Sequence, residues 1–456
     1  MFLENRKTMT SCGMAEGVAA GNPGYTVFRG IPFGKAPEGE FRWYKPLKPE
    51  AWENTLQCGQ FPAAAIQYPG RNKGTGLYHK EFKPAEVEES EDCLYLNIWT
   101  PNLCPEKKLP VMVWIHGGAF SNGYSYEMEF DGEAYCKRDV ILVTIPYRLA
   151  ALGFLAHPEL SARENGLSGN YGVLDVIAAL KWIAGNIAFF GGDPENVTVF
   201  GQSAGGMMIN VLCASPLAKG LFQKAIIQSA PITGDMSNLP ALTEAEEMGQ
   251  KMLDYLGTSV EKLMNLPGKR VNEMLIRAAE HLYGSTMKVF KPIVDGYVLE
   301  KSPWDVLCEG NYPDINYIVG AVEGDGKIFA AGENEMEYSR RFSAEWMNMQ
   351  KKSGTKNSYL YYFNRHMPGD SNGAFHSSEL WYVFGTLHRC WRTQEKGFHG
   401  GDYILSERML DYWTNFGKSG DPNLGGKEVP AWTEYTLSEP VCMEFNDNLL
   451  GMKKMS

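Results

Sequence analysis

Val199-Phe200-Gly201-Gln202-Ser203-Ala204-Gly205-Gly206 is a run in which a buried strand gives way abruptly to a buried helix. Val197-Thr198-Val199-Phe200 is β-branched and aromatic, as an inner strand requires, and Met207-Met208-Ile209-Asn210-Val211-Leu212 reads as a buried helix. The turn between them must be sharp, and Ser203 stands at its apex. Gly201 and Gly205 make room for the crossing backbone, where a Cβ would strike. Gly-x-Ser-x-Gly on its own arises often by chance. Flanked by a strand and a helix, it is a nucleophile elbow, with the serine hydroxyl lifted above a sheet at a helix N-terminus that favours negative charge.

Working outward from this turn, apolar runs mark strands at Leu94–Trp99, Val111–Ile115, Val140–Ile145, Ala225–Gln228, Tyr317–Val319, Tyr359–Phe363 and Val441–Phe445. Helical spacing covers Gly172–Ile187 and Tyr403–Phe416, the latter ending at Gly417. Strands alternating with helices imply a parallel or mixed sheet covered on both faces. Gly24 to Trp52 reads as short strands and coil wrapping that body, and residues 66 to 90 as surface loop. No repeat or linker divides the 456 residues, so one catalytic domain spanning 1–456 is the expectation.

A 44% hydrophobic content can fill a large core, and a net charge of −11 argues against nucleic acid and anionic membranes as partners. Met1–Lys7 lacks the apolar run of a signal peptide, and no later run reads as long enough to span a bilayer. Nine cysteines, an odd number without metal-ligand spacing, point to reduced thiols in a cytoplasmic protein with no metal and no cofactor.

A serine nucleophile needs a base, and the base needs an orienting acid. In this kind of fold the order is serine, acid, histidine. Five histidines follow Ser203: His281, His366, His376, His388 and His399. His376 sits in a loop, Asn372 to Glu379, leading into the helix-like Leu380–Phe384; His281 reads as a surface helix residue. The strand Tyr317–Gly320 runs into Ala321-Val322-Glu323-Gly324-Asp325-Gly326, which places Glu323 and Asp325 just beyond a strand's C-terminal end, where such sheets assemble their sites. Either carboxylate can serve. Directly after the strand Val111–Ile115 comes His116-Gly117-Gly118-Ala119-Phe120. Backbone amides can approach a developing oxyanion only where side chains are absent, so Gly117 and Gly118, with the amide of Ala204, form the candidate oxyanion hole.

With these residues assembled, the chain resembles the type-B carboxylesterases, an α/β-hydrolase family that includes bacterial para-nitrobenzyl esterases. Phe28-Arg29-Gly30-Ile31-Pro32-Phe33, Ser90 to Asn97, His116 to Phe120, Phe190 to Gly206 and Tyr412 to Asn423 carry the resemblance over most of the length. It implies a large mixed sheet flanked by helices, and hydrolysis of carboxylic esters by Ser203, His376 and Asp325, with Glu323 in reserve. It also implies buried ion pairs Arg42–Glu91 and Arg148–Asp175. Three departures stand out. Cys93, which would pair upstream in the family, has no aligned partner. Gln202 stands where cholinesterases have glutamate, and the choline-binding tryptophan is missing, so this is not a cholinesterase. The family also contains non-catalytic adhesion proteins, but these usually lose the serine or the histidine. Finally, the helical region after the acid is short. Lys327 to Asn357 has room for about one helix, Glu335–Lys351, with Phe342, Trp346 and Met349 on one face. A shortened cap suggests an open cleft and broad specificity, including bulky, aryl or phenolic (feruloyl-type) esters.

Overall fold

The computed structural model describes residues 5–68, 76–82, 86–232, 238–329, 335–395, 397–423 and 430–455. Eleven strands form its main sheet. In chain order they are β1 (Val18–Ala19), β2 (Thr26–Pro32), β3 (Tyr95–Thr100), β4 (Leu109–Ile115), β5 (Ile141–Ile145), β6 (Gly192–Gln202), β7 (Lys224–Gln228), β8 (Asn316–Val322), β9 (Ser358–Phe363), β10 (Val441–Asn446) and β11 (Leu449–Lys454). Their spatial order is β11-β10-β9-β8-β7-β6-β4-β5-β3-β2-β1. The block from β10 to β5 is parallel, and the strands outside it pair antiparallel.

The inner strands are continuous apolar runs because both faces are covered. Along β4, Val111, Val113 and Ile115 feed one core while Met112 and Trp114 feed the other, the period of two that the pleat dictates. Helices α1 (Tyr171–Asn186), α2 (Ala204–Ala214) and α3 (Glu335–Ser353) contribute to the first core, and α4 (Gly400–Ser419) to the second. Arg42 and Glu91 form a two-pronged pair at 2.6 Å, and Arg148 grips Asp175 at 2.7 and 2.8 Å. The first pair joins two connecting segments, and the second holds a loop to α1.

Four expectations need correction. Gly417 does not end α4. Its bare Cα lies against Met112, where a Cβ would come 2.7 Å from the sulfur, and the helix runs on to a left-handed cap at Gly420. Val441–Phe445 is not the last strand, because a two-residue turn at Asp447-Asn448 returns the chain as β11. Within residues 66 to 90, Leu77–Phe82 is a short helix whose Glu81 and Phe82 are buried. Tyr171–Phe190 is long and apolar enough to cross a bilayer, at mean hydropathy 1.7, but most of it is buried against the sheet.

Candidate active site

Ser203 stands between β6 and α2 with φ 57° and ψ −127°, outside the conformations an L-residue prefers. Such a conformation costs about 1–3 kcal/mol and persists only where the surroundings enforce it. Two groups enforce it here. The Ser203 amide donates to the Gln228 carbonyl on β7 at 2.9 Å. Gly205 presses onto β4, where a Cβ would come 2.0 Å from the Ile115 carbonyl oxygen. The elbow is therefore specified by glycine and by its neighbouring strands.

The acid and the histidine arrive from separate strand ends. Beyond β8 the chain tightens into a 3₁₀ turn, Glu323–Asp325, which points the Asp325 carboxylate inward with no exposure. Asp325 Oδ2 accepts the Val322 amide at 3.0 Å, and Oδ1 lies 2.5 Å from His376 Nδ1. A carboxylate can only accept, so Nδ1 carries the proton and Nε2 keeps its lone pair. Glu323 turns the other way and meets exposed His366 Nε2 at 3.1 Å. The structure thus brings Asp325, rather than Glu323, to His376. Helix α3 braces this turn: Ser339 Oγ donates to the Glu323 carbonyl and accepts the Gly326 amide. Of the other histidines, His281 stacks on Tyr255 at the surface, His388 lies in a 3₁₀ turn, and His399 caps α4.

Gly117 faces the serine: a Cβ there would come 3.1 Å from Ser203 Cβ and 2.8 Å from the Gln202 carbonyl oxygen. Gly118, at φ 105°, abuts the Asn122 carbonyl, where a Cβ would sit at 2.1 Å. Among the described residues the amides of Gly117 and Gly118 donate to no backbone carbonyl. His116 is stacked on Tyr147, whose hydroxyl donates to the His116 carbonyl and pins the loop. An apolar cavity adjoins this loop and the first turns of α2, lined by Phe120, Met207, Val211, Ile232, Pro303 and Trp304. A larger cavity, about 660 Å³, lies between the coil Lys45–Ala51 and α1 and holds none of these groups. Size alone does not mark the site.

Two polar neighbours complete the surroundings of the histidine, a contact of Gln202 and a carboxyl that the sequence did not signal. Gln202 Nε2 lies 3.2 Å from His376 Nε2. Behind the pair, fully buried Glu379 receives Gln228 Nε2 at 3.4 Å, and burial, reinforced by the charge of Asp325, pushes its carboxyl up to about 8. Its place three residues after His376 carries no catalytic signal by itself. The aromatic residues of α3 are buried in the core: Trp346 donates to Asn210 on α2 and meets Tyr317 edge-on at 4.9 Å. Among the described residues no group of three His, Cys, Asp or Glu side chains is placed to hold a metal ion.

Comparison with known proteins places the chain itself. The carboxylesterase family profile matches residues 4–351 and 337–456. The chain is 33% identical to the para-nitrobenzyl esterase of Bacillus subtilis, over 91% of this chain and 90% of that protein. It is 38% identical to the fumonisin B1 esterase of Sphingopyxis macrogoltabida, over 70% of this chain and 56% of that one. Among solved structures, a para-nitrobenzyl esterase superposes with a TM-score of 0.84 at 29% identity, covering 99% of this chain and 97% of that one. A Geobacillus stearothermophilus carboxylesterase gives 0.81 at 31%, covering 99% and 98%.

Proposed function

The chain belongs to the carboxylesterase family and is a carboxylic-ester hydrolase of α/β-hydrolase fold, and from that premise we propose that it works through Ser203, His376 and Asp325. The observation that carries this reading is the 2.5 Å contact of His376 Nδ1 with buried Asp325, beside a strained serine at a helix N-terminus. Ser203 Oγ attacks the ester carbonyl as His376 Nε2 takes its proton. The carbonyl oxygen becomes an oxyanion held by the amides of Gly117, Gly118 and Ala204. Collapse breaks the ester C–O bond, the alcohol leaves with the proton from His376, and water repeats the sequence on the acyl-enzyme to release the acid and restore Ser203. Asp325 holds the tautomer and offsets the charge on the imidazolium without itself taking the proton.

The apolar cavity beside Phe120 and Met207 suits an uncharged acyl or alcohol group. With the α3 rings turned inward, we read the enzyme as broad in specificity and tolerant of bulky or aryl esters, phenolic ones included. A reducing compartment such as the cytoplasm suits nine free cysteines, of which buried Cys58 has its thiol pushed up to about 12 by burial. Titration with a small organophosphate tests the mechanism: one phosphoryl adduct per chain, on Ser203, accompanied by complete loss of esterase activity. A folded Ser203→Ala protein should lose about 10⁴-fold or more in kcat. Retention of a tenth of the turnover would end this reading.

A further inference from the structure

Gln202 precedes the nucleophile and is itself buried at 2% exposure, with its backbone paired to Gln228 across β6 and β7. Its side chain is therefore held rather than free at the surface. The amide nitrogen faces His376 Nε2 at 3.2 Å, while the amide oxygen lies toward Gly117. With Nδ1–H committed to Asp325, Nε2 can only accept, and the Gln202 N–H is the donor that fills it. Among the described residues no hydrogen bond joins Ser203 Oγ to this imidazole, so in the free protein the base is engaged by the amide rather than by the nucleophile.

We propose that Gln202 is a positioning residue that parks His376 as a neutral base, its amide N–H occupying Nε2 until an ester seated on the oxyanion loop brings Ser203 Oγ into that place. The inference rests on the Ser203–His376–Asp325 mechanism and adds a residue that tunes it. An N–H donor stabilises only the unprotonated imidazole, so it lowers the proton affinity of the base. The surrounding charges do not supply this bias. Asp325, from the turn after β8, favours the imidazolium. Glu379, on the segment that follows His376, is neutral over most of the working range. Glu323 is engaged by His366, and Tyr361 and Tyr362 on β9 have phenols pushed well up by burial. Phe329 meets the imidazole edge-on at 5.4 Å and carries no charge. Gln202 is the neutral group that works against Asp325.

The test is the acid limb of kcat/KM on a neutral aryl ester, measured for the wild-type protein, Gln202→Met and Gln202→Glu. Removing the donor in Gln202→Met should move the limb up by about one pH unit. A carboxylate in Gln202→Glu should move it further, by roughly one to three units. At pH 6 the Gln202→Glu protein should then show a loss of about tenfold or more relative to its own value at pH 8.5. Acid limbs that coincide in all three proteins would overturn the proposal, leaving Gln202 a packing residue. If Gln202→Glu does not fold, titration of the His376 Nδ1 proton by NMR in wild type and Gln202→Met decides the matter, an unmoved midpoint overturning it. A wild-type protein that forms no phosphoryl adduct on Ser203 would remove the underlying mechanism itself, an outcome distinct from unmoved limbs in a working enzyme.

Discussion

Asp325 and Glu323 lie two residues apart at the end of one strand, and their surroundings divide their roles. Asp325 is sealed from water and held by the Val322 amide, whereas Glu323 is tied to exposed His366. Asp325→Asn should lower kcat by about 10⁴-fold through the wrong imidazole tautomer. Glu323→Gln should stay within a few-fold of wild type, and steady-state kinetics on one ester compares the two. Glu379 gives a pH signature. Its carboxyl sits at about 8 in the folded protein, against roughly 4.3 for an unstrained glutamate. Between those values the folded state keeps a proton that the unfolded chain has released, so stability falls as pH rises through that window and levels off above it. Glu379→Gln does not titrate. Its advantage in denaturation midpoint over wild type should therefore grow from pH 5 to pH 8 and then stay constant. The elbow serine and the glycine loop stand out in their own local sequence, whereas the histidine was one of five candidates and was singled out by resemblance. The choice of acid rested on the same resemblance. Gln202 and Glu379 were not legible, because the partners they meet are set by strands and loops far away, 174 residues in the case of Gln202 and His376.

At the scale of elements, periodicity located the inner strands and the long helices, since these depend on residues close in sequence. It failed where a distant partner decides. Gly417 reads as a helix stop, yet it continues α4 because Met112 of β4 occupies the space a side chain would need. Leu77–Phe82 shows no amphipathic stripe, and its fixed point is a buried charge. Glu81 accepts from Arg392 at 2.8 and 2.9 Å, from the indole nitrogens of Trp381 and Trp391, and from the Cys390 thiol. These donors follow His376 in the chain, so Glu81 fastens its helix to the segment behind the imidazole. Glu81→Gln leaves the Arg392 guanidinium with Asp370 as its remaining charge partner and should destabilise by about 3–5 kcal/mol. A double change, Glu81→Gln with Arg392→Met, should recover part of that loss, because the cost comes chiefly from the stranded charge. Chemical denaturation of the three proteins checks both statements.

For the whole molecule, the question is how much of the site the segment after the acid covers. The spacing predicts one helix over Glu335–Lys351, and α3 occupies Glu335–Ser353. Its large rings point inward: Tyr338, Phe342 and Trp346 are buried, with Trp346 bonded to Asn210 on the helix that carries Ser203. Rings buried in this way pack in the core beside the helix that follows Ser203. Ser339 on the same helix braces the turn bearing Asp325, so α3 serves as a strut for both the serine and the acid. Near the imidazole, Phe329 offers an edge and Ile328 is 54% exposed, apolar surface against which an aromatic ester can lie. The open mouth proposed here would gain binding area as the substrate grows and reject little by shape. A bulky aryl ester should therefore show a kcat/KM within about tenfold of that for a small acetate with the same leaving group, since one methylene in an apolar pocket changes the ratio by roughly 10–200-fold only where the fit is tight. The comparison needs the purified wild-type protein and the two esters. A preference of several hundredfold for the acetate would mean that the cleft is narrow despite the inward rings of α3.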